Sequence, residues 1–121
     1  YQQFLDQLNT QAKSENLTHK ITTMNQSMFE LDFEEESFDI IWSEGSIYLY
    51  GFEKGLKDWS KFLKKGGYFA ISECSWLVDN VSEEPLKYWN ENYPQMKTIK
   101  ENIEIIKKII ILKVKMKLYK I

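Results

Sequence analysis

Arginine is missing from the 121 residues; all sixteen basic side chains are lysine. Without the planar guanidinium fork that clamps phosphate and reads guanine, a nucleic-acid partner is not expected. A single cysteine excludes an internal disulfide framework and a cysteine-rich zinc site. A single histidine removes most metal and triad chemistry built on imidazole. Only two prolines and five glycines are present, which rules out collagen-like and low-complexity classes. No run approaches the roughly 18 apolar residues of a membrane span, and no basic segment followed by an apolar run marks a signal peptide. A cytoplasmic protein is the default reading.

What remains is an ordinary globular composition, 43% hydrophobic and 28% charged, long enough for one domain. The net charge of -2 hides an asymmetry. Residues 1–96 hold eight lysines against sixteen acids, whereas 97–121 hold eight lysines against two. The first residue, Tyr1, already lies inside an amphipathic pattern, so the chain is expected to be a fragment of a longer domain.

Phe4, Leu5, Leu8 and Ala12 fall on one helical stripe, which predicts a helix over 2–14. Residues 18–24, rich in Thr and Ile, favour a strand, and Asn25-Gln26-Ser27 breaks it. Phe38 to Trp42 is a short apolar run of the kind buried on both faces of a parallel sheet. Phe52, Leu56, Trp59 and Leu63 predict a helix over 53–64, with Gly66-Gly67 ending it in a left-handed conformation. Tyr68 to Ser72 then reads as a second buried strand, and strand, helix and strand have the size of a right-handed crossover unit. Ser82 caps a helix with Pro85 in its first turn, and Thr98-Ile99-Lys100-Glu101 is a capping-box pattern opening another. After Lys108, Leu112, Val114, Met116 and Leu118 alternate with lysines as in a strand with one wet face.

In such sheets ligands bind outside the carboxyl ends of the strands, where loops and helix N-termini converge. Asn25–Met28, Ser43–Phe52 and Glu73–Leu77 occupy those places. The middle loop is the richest, with a carboxylate, two glycines and two tyrosines between a strand and a helix.

The run FDIIWSEGSIYLYGFEKGLKDWSKFLKKGGYFAISECSW, residues 38–76, resembles class I S-adenosylmethionine-dependent methyltransferases, especially a bacterial subgroup of the type 11 or type 25 methyltransferase domains. The matching elements are an Asp in a buried strand, a following helix, Lys-Gly-Gly before the next strand, and the loop from Trp42 to Gly55. Over residues 1–108 the resemblance implies an α/β, Rossmann-like, mostly parallel sheet with flanking helices, forming part of a class I domain. It implies S-adenosylmethionine as cofactor and a small-molecule methyl acceptor. The family's glycine-rich loop and its ribose-binding acidic residue do not occur in the sequence, so this fragment is expected to be inactive alone. The Lys/Ile-rich tail over 109–121 departs from the family pattern and is expected to be aberrant.

Carried over by position, the resemblance puts Ser27 and Met28 beside the adenine. Ser43, Glu44 and Gly45 match the loop below the reacting sulfonium. Tyr48 and Trp76 would form aromatic walls, since a sulfonium is attracted to ring faces as other cations are. Methyl transfer is an in-line displacement governed by positioning, so no textual triad is required. Two rival functions stay open: a nicotinamide-dependent oxidoreductase on a similar sheet, and a non-enzymatic α/β module that binds or homo-oligomerises.

Simpler readings stand beside these. Trp42, Trp59 and Trp89 suit a core, Cys74 a small buried hydrophobe, and His19 an exposed surface position. Glu34-Glu35-Glu36 reads as a solvated loop and Asp39 as an unremarkable strand residue. Tyr50 packs against the helix that follows it, and the tail lysines face solvent.

Overall fold

The computed structural model describes residues 1–110, and within these the chain forms two compact units, Tyr1–Asp32 and a second beginning at Phe33. The first unit is built on α1, Gln2–Ser14, as its apolar stripe predicts. Its end has a clear cause. Asn16 takes a left-handed φ of 58°, so that Leu17 N–H reaches the Ala12 carbonyl at 2.8 Å and Asn16 N–H the Lys13 carbonyl at 3.2 Å. This is a Schellman closure with asparagine where glycine is usual, and it leaves Ala12 buried.

The strand expected over 18–24 does not form; Thr18 to Lys20 is a turn and the residues after it join no ladder among the described residues. β-branched residues fit a strand only when a neighbouring strand satisfies the backbone. Here the Thr23 hydroxyl instead exchanges hydrogen bonds with the Asn9 side chain at 3.0 and 3.2 Å.

The second unit holds β1 (Phe38–Ser43), α2 (Ile47–Tyr50), α3 (Phe52–Trp59), a single 3-10 turn (Ser60–Phe62) and β2 (Leu63–Ile71). β3 (Ser75–Trp76), α4 (Glu83–Asn92), β4 (Lys97–Thr98) and α5 (Ile99–Ile110) follow. β1 pairs with β2 and β3 with β4, both in parallel. The expected α/β class with parallel strands and flanking helices is therefore present, as two two-stranded sheets.

The α3 helix stops well before the predicted residue 64, because Leu63 is already extended and buried as the first residue of β2. Gly66 and Gly67 serve that strand rather than ending a helix. The ladder pairs Phe38 with Leu63 and then Ile40 with Tyr68, so β2 advances five residues while β1 advances two. Gly66 absorbs the bulge with a φ of 81°, and a Cβ on Gly67 would sit 3.0 Å from the Asp39 and Lys64 carbonyl oxygens.

β1 is not covered on both faces. Ser43 is buried and Ile41 half-buried, while Ile40 and Trp42 are 56% and 74% exposed. The core reading of Trp42 is thus overturned: alternation along a strand sends it to the uncovered face with Ile40. Cys74 is likewise exposed rather than buried, since it lies in the loop beyond β2. Trp59 does join the core with Ile47, Phe52, Leu56, Phe62 and Leu63, and Trp89 is half-buried.

Ser82 takes the cap position of α4, but its hydroxyl makes no cap hydrogen bond; Glu83 and Glu84 complement the dipole there instead. The capping box of α5 forms as read. Thr98 Oγ1 accepts from Glu101 N–H at 3.3 Å, and Glu101 Oε2 accepts from Thr98 N–H at 2.8 Å. α5 runs through 109 and 110, past the predicted change of period at Lys108. The strand read from Leu112 onward lies outside the described residues.

Candidate functional site

The middle loop is built where the parallel pair ends. β1 closes on Ser43, whose carbonyl accepts from Ser72 N–H at 3.1 Å across the strand ends. The Ser72 hydroxyl reaches back to accept from Gly45 N–H at 2.8 Å, and Gly45 turns the chain with a φ of 55°. The Ser43 hydroxyl, buried at 6% exposure, shares a hydrogen bond of 2.9 Å with that of Ser46. Three serines and a glycine therefore clamp a tight turn across the two strands. The turn leaves Glu44 exposed.

Behind the turn, Ile47 is fully buried and anchors α2, and Gly51 at a φ of 99° separates α2 from α3. Tyr48, 39% exposed, lays its ring 5.4 Å from that of Tyr93, the residue ending α4. Tyr93 is buried, and its hydroxyl donates to Glu73 Oε1 at 2.7 Å. Glu73 follows Ser72 directly, so the carboxylate stands beside the clamped turn in sequence and is tied to the Tyr48 ring through Tyr93. Its other oxygen, Oε2, is shut off from solvent and has no hydrogen-bond partner.

Desolvation pushes the Glu73 carboxyl above the usual glutamate value, and the Tyr93 hydrogen bond opposes this. Burial first, and then the bond to Glu73, pushes the Tyr93 phenol well above the tyrosine range. Sequence reasoning placed Glu73 in a strand-end loop without giving it a role, and it missed Tyr93 and Ser72. The pairing spans twenty residues and has no periodic signature.

The other expected residues are distributed as follows. Tyr50 packs as read: its ring lies 5.1 Å from Trp59, its hydroxyl donates to Asp58 at 2.9 Å, and Lys54 sits 3.8 Å over its face. Trp76 is half-buried in β3, in register with Thr98, and Ser75 Oγ next to it accepts from the buried Asn102 at 2.9 Å. Asp39 makes an exposed ion pair with Lys64 at 2.9 Å. Ser27 and Met28 lie in the first unit, where the exposed Ser27 hydroxyl accepts from Phe29 N–H at 3.2 Å and Met28 is half-buried. His19 is exposed. Among the described residues no three metal-ligating side chains cluster, and no helix is long and apolar enough to cross a membrane.

The family profile described as a methyltransferase domain matches residues 3–116. The chain belongs to this family. The match of this methyltransferase domain reaches beyond the segment over which the motifs alone carried the resemblance. The sterol 24-C-methyltransferase of Candida albicans (strain SC5314 / ATCC MYA-2876) is 30% identical over 81 residues, 66% of the chain and 21% of that protein. The sterol 24-C-methyltransferase erg6 of Aspergillus fumigatus (strain ATCC MYA-4609 / CBS 101355 / FGSC A1100 / Af293) is 28% identical over 95 residues, 78% of the chain and 23% of that protein. The domain thus spans little more than a fifth of the curated relatives it matches. Membership implies S-adenosylmethionine as the methyl donor.

Proposed function

We propose that this methyltransferase domain takes part in moving a methyl group from S-adenosylmethionine to a small-molecule acceptor. The observation that carries the reading is the turn Ser43–Ser46, clamped across the ends of β1 and β2 by Ser72. It fixes a carboxylate and a ring at the carboxyl end of a parallel pair, the place where such sheets bind ligands. The donor set fits the cofactor. A sulfonium is a cation, and the exposed Glu44 carboxylate and the part-exposed Tyr48 face are the two kinds of group that attract one.

When bound, S-adenosylmethionine supplies an activated methyl group on a positively charged sulfur. Glu44 contributes negative charge beside that cation and Tyr48 an aromatic face. Ser43, Gly45, Ser46 and Ser72 hold the turn rigid, so the protein's part in an in-line displacement is orientation settled before the reaction. Trp76 serves the acceptor side.

A small molecule is the acceptor class in keeping with the sterol named by the two relatives, and the missing guanidinium groups argue against nucleic acid. An exposed thiol at Cys74 with no second cysteine to pair with suits a reducing cytoplasm. The uncovered apolar face of β1 suits association between copies of the chain.

The direct test is nuclear magnetic resonance of the labelled chain titrated with S-adenosylmethionine to about 10 mM, which detects even the ~4 kcal/mol of a millimolar complex. Amide shifts at Glu44, Gly45 and Tyr48 are expected. Shifts nowhere along Ser43–Tyr48 would reject the assignment.

A further inference from the structure

Charges on α3 stand in two opposite senses. Glu53 in its first turn and Lys57 in its last complement the helix dipole. Lys54 and Asp58 oppose it, with the cation towards the N-terminal end and the anion towards the C-terminal end, joined at 2.7 Å. Their side chains are 61% and 40% exposed, and a pair so open to water adds little to stability. What the pair does hold is a phenol. The Tyr50 hydroxyl donates to Asp58 Oδ2 at 2.9 Å and accepts from Lys54 Nζ, so the three groups close a ring of hydrogen bonds. The Lys54 ammonium also lies 3.8 Å over the Tyr50 ring, which packs 5.1 Å from that of the buried Trp59.

The clamp matters for α2, whose last residue is Tyr50. A single helical turn does not hold its shape unaided in water. Ile47, fully buried, fixes where α2 starts, Leu49 is 56% exposed, and Gly51 at a φ of 99° sends the chain straight on into α3. Successive helical residues stand about 100° apart around the axis, so Tyr48 and Tyr50 face nearly opposite ways. Holding Tyr50 against α3 thereby turns Tyr48 away from α3, where its ring meets that of Tyr93 at 5.4 Å.

We propose that Tyr50, held by Lys54 and Asp58, is a positioning residue for the methyl donor: the clamp sets the roll of α2 and with it the direction of the Tyr48 ring. The inference rests on the reading of Ser43–Tyr48 as the cofactor loop. A cation is drawn to the face of a ring and not to its edge, so a change in the roll of α2 weakens the hold on a sulfonium without removing any group that touches it.

The test follows the tyrosine ring resonances of the full 121-residue chain, wild type beside Tyr50→Phe, Asp58→Ala and Asp58→Asn. Tyr50→Phe keeps a ring on Trp59 and loses only the hydroxyl. It is expected to shift the Tyr48 ring resonances and to remove the cross-peaks between the Tyr48 and Tyr93 rings while the amide spectrum stays folded. Asp58→Ala should do the same, and Asp58→Asn, whose amide oxygen still accepts from the phenol, should restore the Tyr48 signals in part. The Asp58 carboxyl is held below the usual carboxylate range first by the Lys54 bond and then by the Tyr50 bond, with Lys57 adding its charge. Tyr50→Phe should therefore raise the Asp58 titration midpoint. Titrated with S-adenosylmethionine, Tyr50→Phe is expected to bind about fivefold more weakly than wild type, equivalent to ~1 kcal/mol. Thr98→Ala, which loosens α5 instead, should leave the Tyr48 resonances in place.

An unmoved Tyr48 ring or an unmoved Asp58 midpoint in folded Tyr50→Phe would overturn the inference, as would a Tyr48 displacement no larger than that in Thr98→Ala. If the Tyr48 ring answers to Tyr50→Phe while S-adenosylmethionine moves nothing along Ser43–Tyr48 in the wild type, the clamp stands and the methyl-transfer reading falls. If S-adenosylmethionine shifts that turn with the same affinity in wild type and Tyr50→Phe, the methyl-transfer reading stands and the positioning role falls.

Discussion

Glu73 carries a proton linkage whose sign can be worked out. Its folded value lies above its unfolded one, so over the interval between them the folded chain holds a proton that the unfolded chain has lost. Stability therefore falls as pH rises from the ordinary glutamate range to the raised folded value, and is constant beyond it. Melting curves of wild type and Glu73→Gln at about pH 3.5 and about pH 7.5 are expected to differ in slope, with the glutamine variant flatter. Tyr93→Phe removes the one donor to Glu73 Oε1 that the structure shows, and hydrogen bonds to charged groups are worth about 1.5 to 3 kcal/mol. It should destabilise the chain at neutral pH, less so in acid, and push the Glu73 midpoint higher still. Gly55 belongs to the same scale. A Cβ there would lie 2.8 and 2.9 Å from two atoms of the fully buried Ile47, so Gly55→Ala should cost about 1 to 3 kcal/mol by urea denaturation despite alanine's better helix propensity. A neutral or stabilising result would mean that Ile47 has room to turn.

At the scale of elements, the helices were the readable part. The stripe of Phe4, Leu5, Leu8 and Ala12 and the Thr98–Glu101 box both mark local hydrogen-bonding and packing preferences, and α1 and α5 begin where those signals lie. Thr98→Ala should loosen α5 by about 0.5 to 2 kcal/mol, seen as faster amide exchange in its first turn and little change in α1. Strands were less readable, for physical reasons. Phe38 to Trp42 is apolar apart from Asp39, and the consecutive apolar residues Ile40, Ile41 and Trp42 do not say which face will be covered; Trp42 proved to be on the open one. The pair Gly66-Gly67 suits a helix terminus and a strand bulge equally well, and the choice was made by Leu63 becoming extended. Thr18 to Met24 has strand composition, but among the described residues no strand pairs with it. The candidate site follows the same division. The turn Ser43–Ser46 was legible because glycine and polar residues stood between a strand and a helix, whereas Glu73 with Tyr93 arises only when α4 brings its last turn to the end of β2.

For the molecule as a whole, affinity for cofactor and tendency to associate are the measurable outcomes. If the 121 residues lack the family's glycine-rich loop and ribose-binding acid, as the sequence reading expects, charged hydrogen bonds of about 1.5 to 3 kcal/mol each are not available to the ligand. Calorimetry on this chain alone should give a dissociation constant for S-adenosylmethionine weaker than about 1 mM, equivalent to ~4 kcal/mol. Micromolar binding would show that Ser43–Tyr48 and its neighbours carry the affinity unaided. Ile40, Trp42 and Tyr68 share one face through the register and are 56%, 74% and 51% exposed. Light scattering is expected to show self-association that Trp42→Lys reduces, and a wild type monodisperse as a monomer at high concentration would argue against it.

The bulge between Leu63 and Tyr68 also bears on how the sequence can change in length. Three residues more than the ladder requires are looped out there, with Lys64 and Lys65 exposed and Gly66 taking the turn. Losing or gaining a residue within 64–66 alters only how far the chain bows outward, while Tyr68 to Ile71 keep their partners Ile40 to Ser43 and Ser72 keeps its hold on Gly45. Losing one residue between Tyr68 and Ile71 would reverse the facing of every side chain that follows in the strand and carry Ser72 away from the turn. Insertions and deletions among related chains should therefore gather at this lysine-glycine segment, which lets the strand end stay in place while the length of the chain drifts.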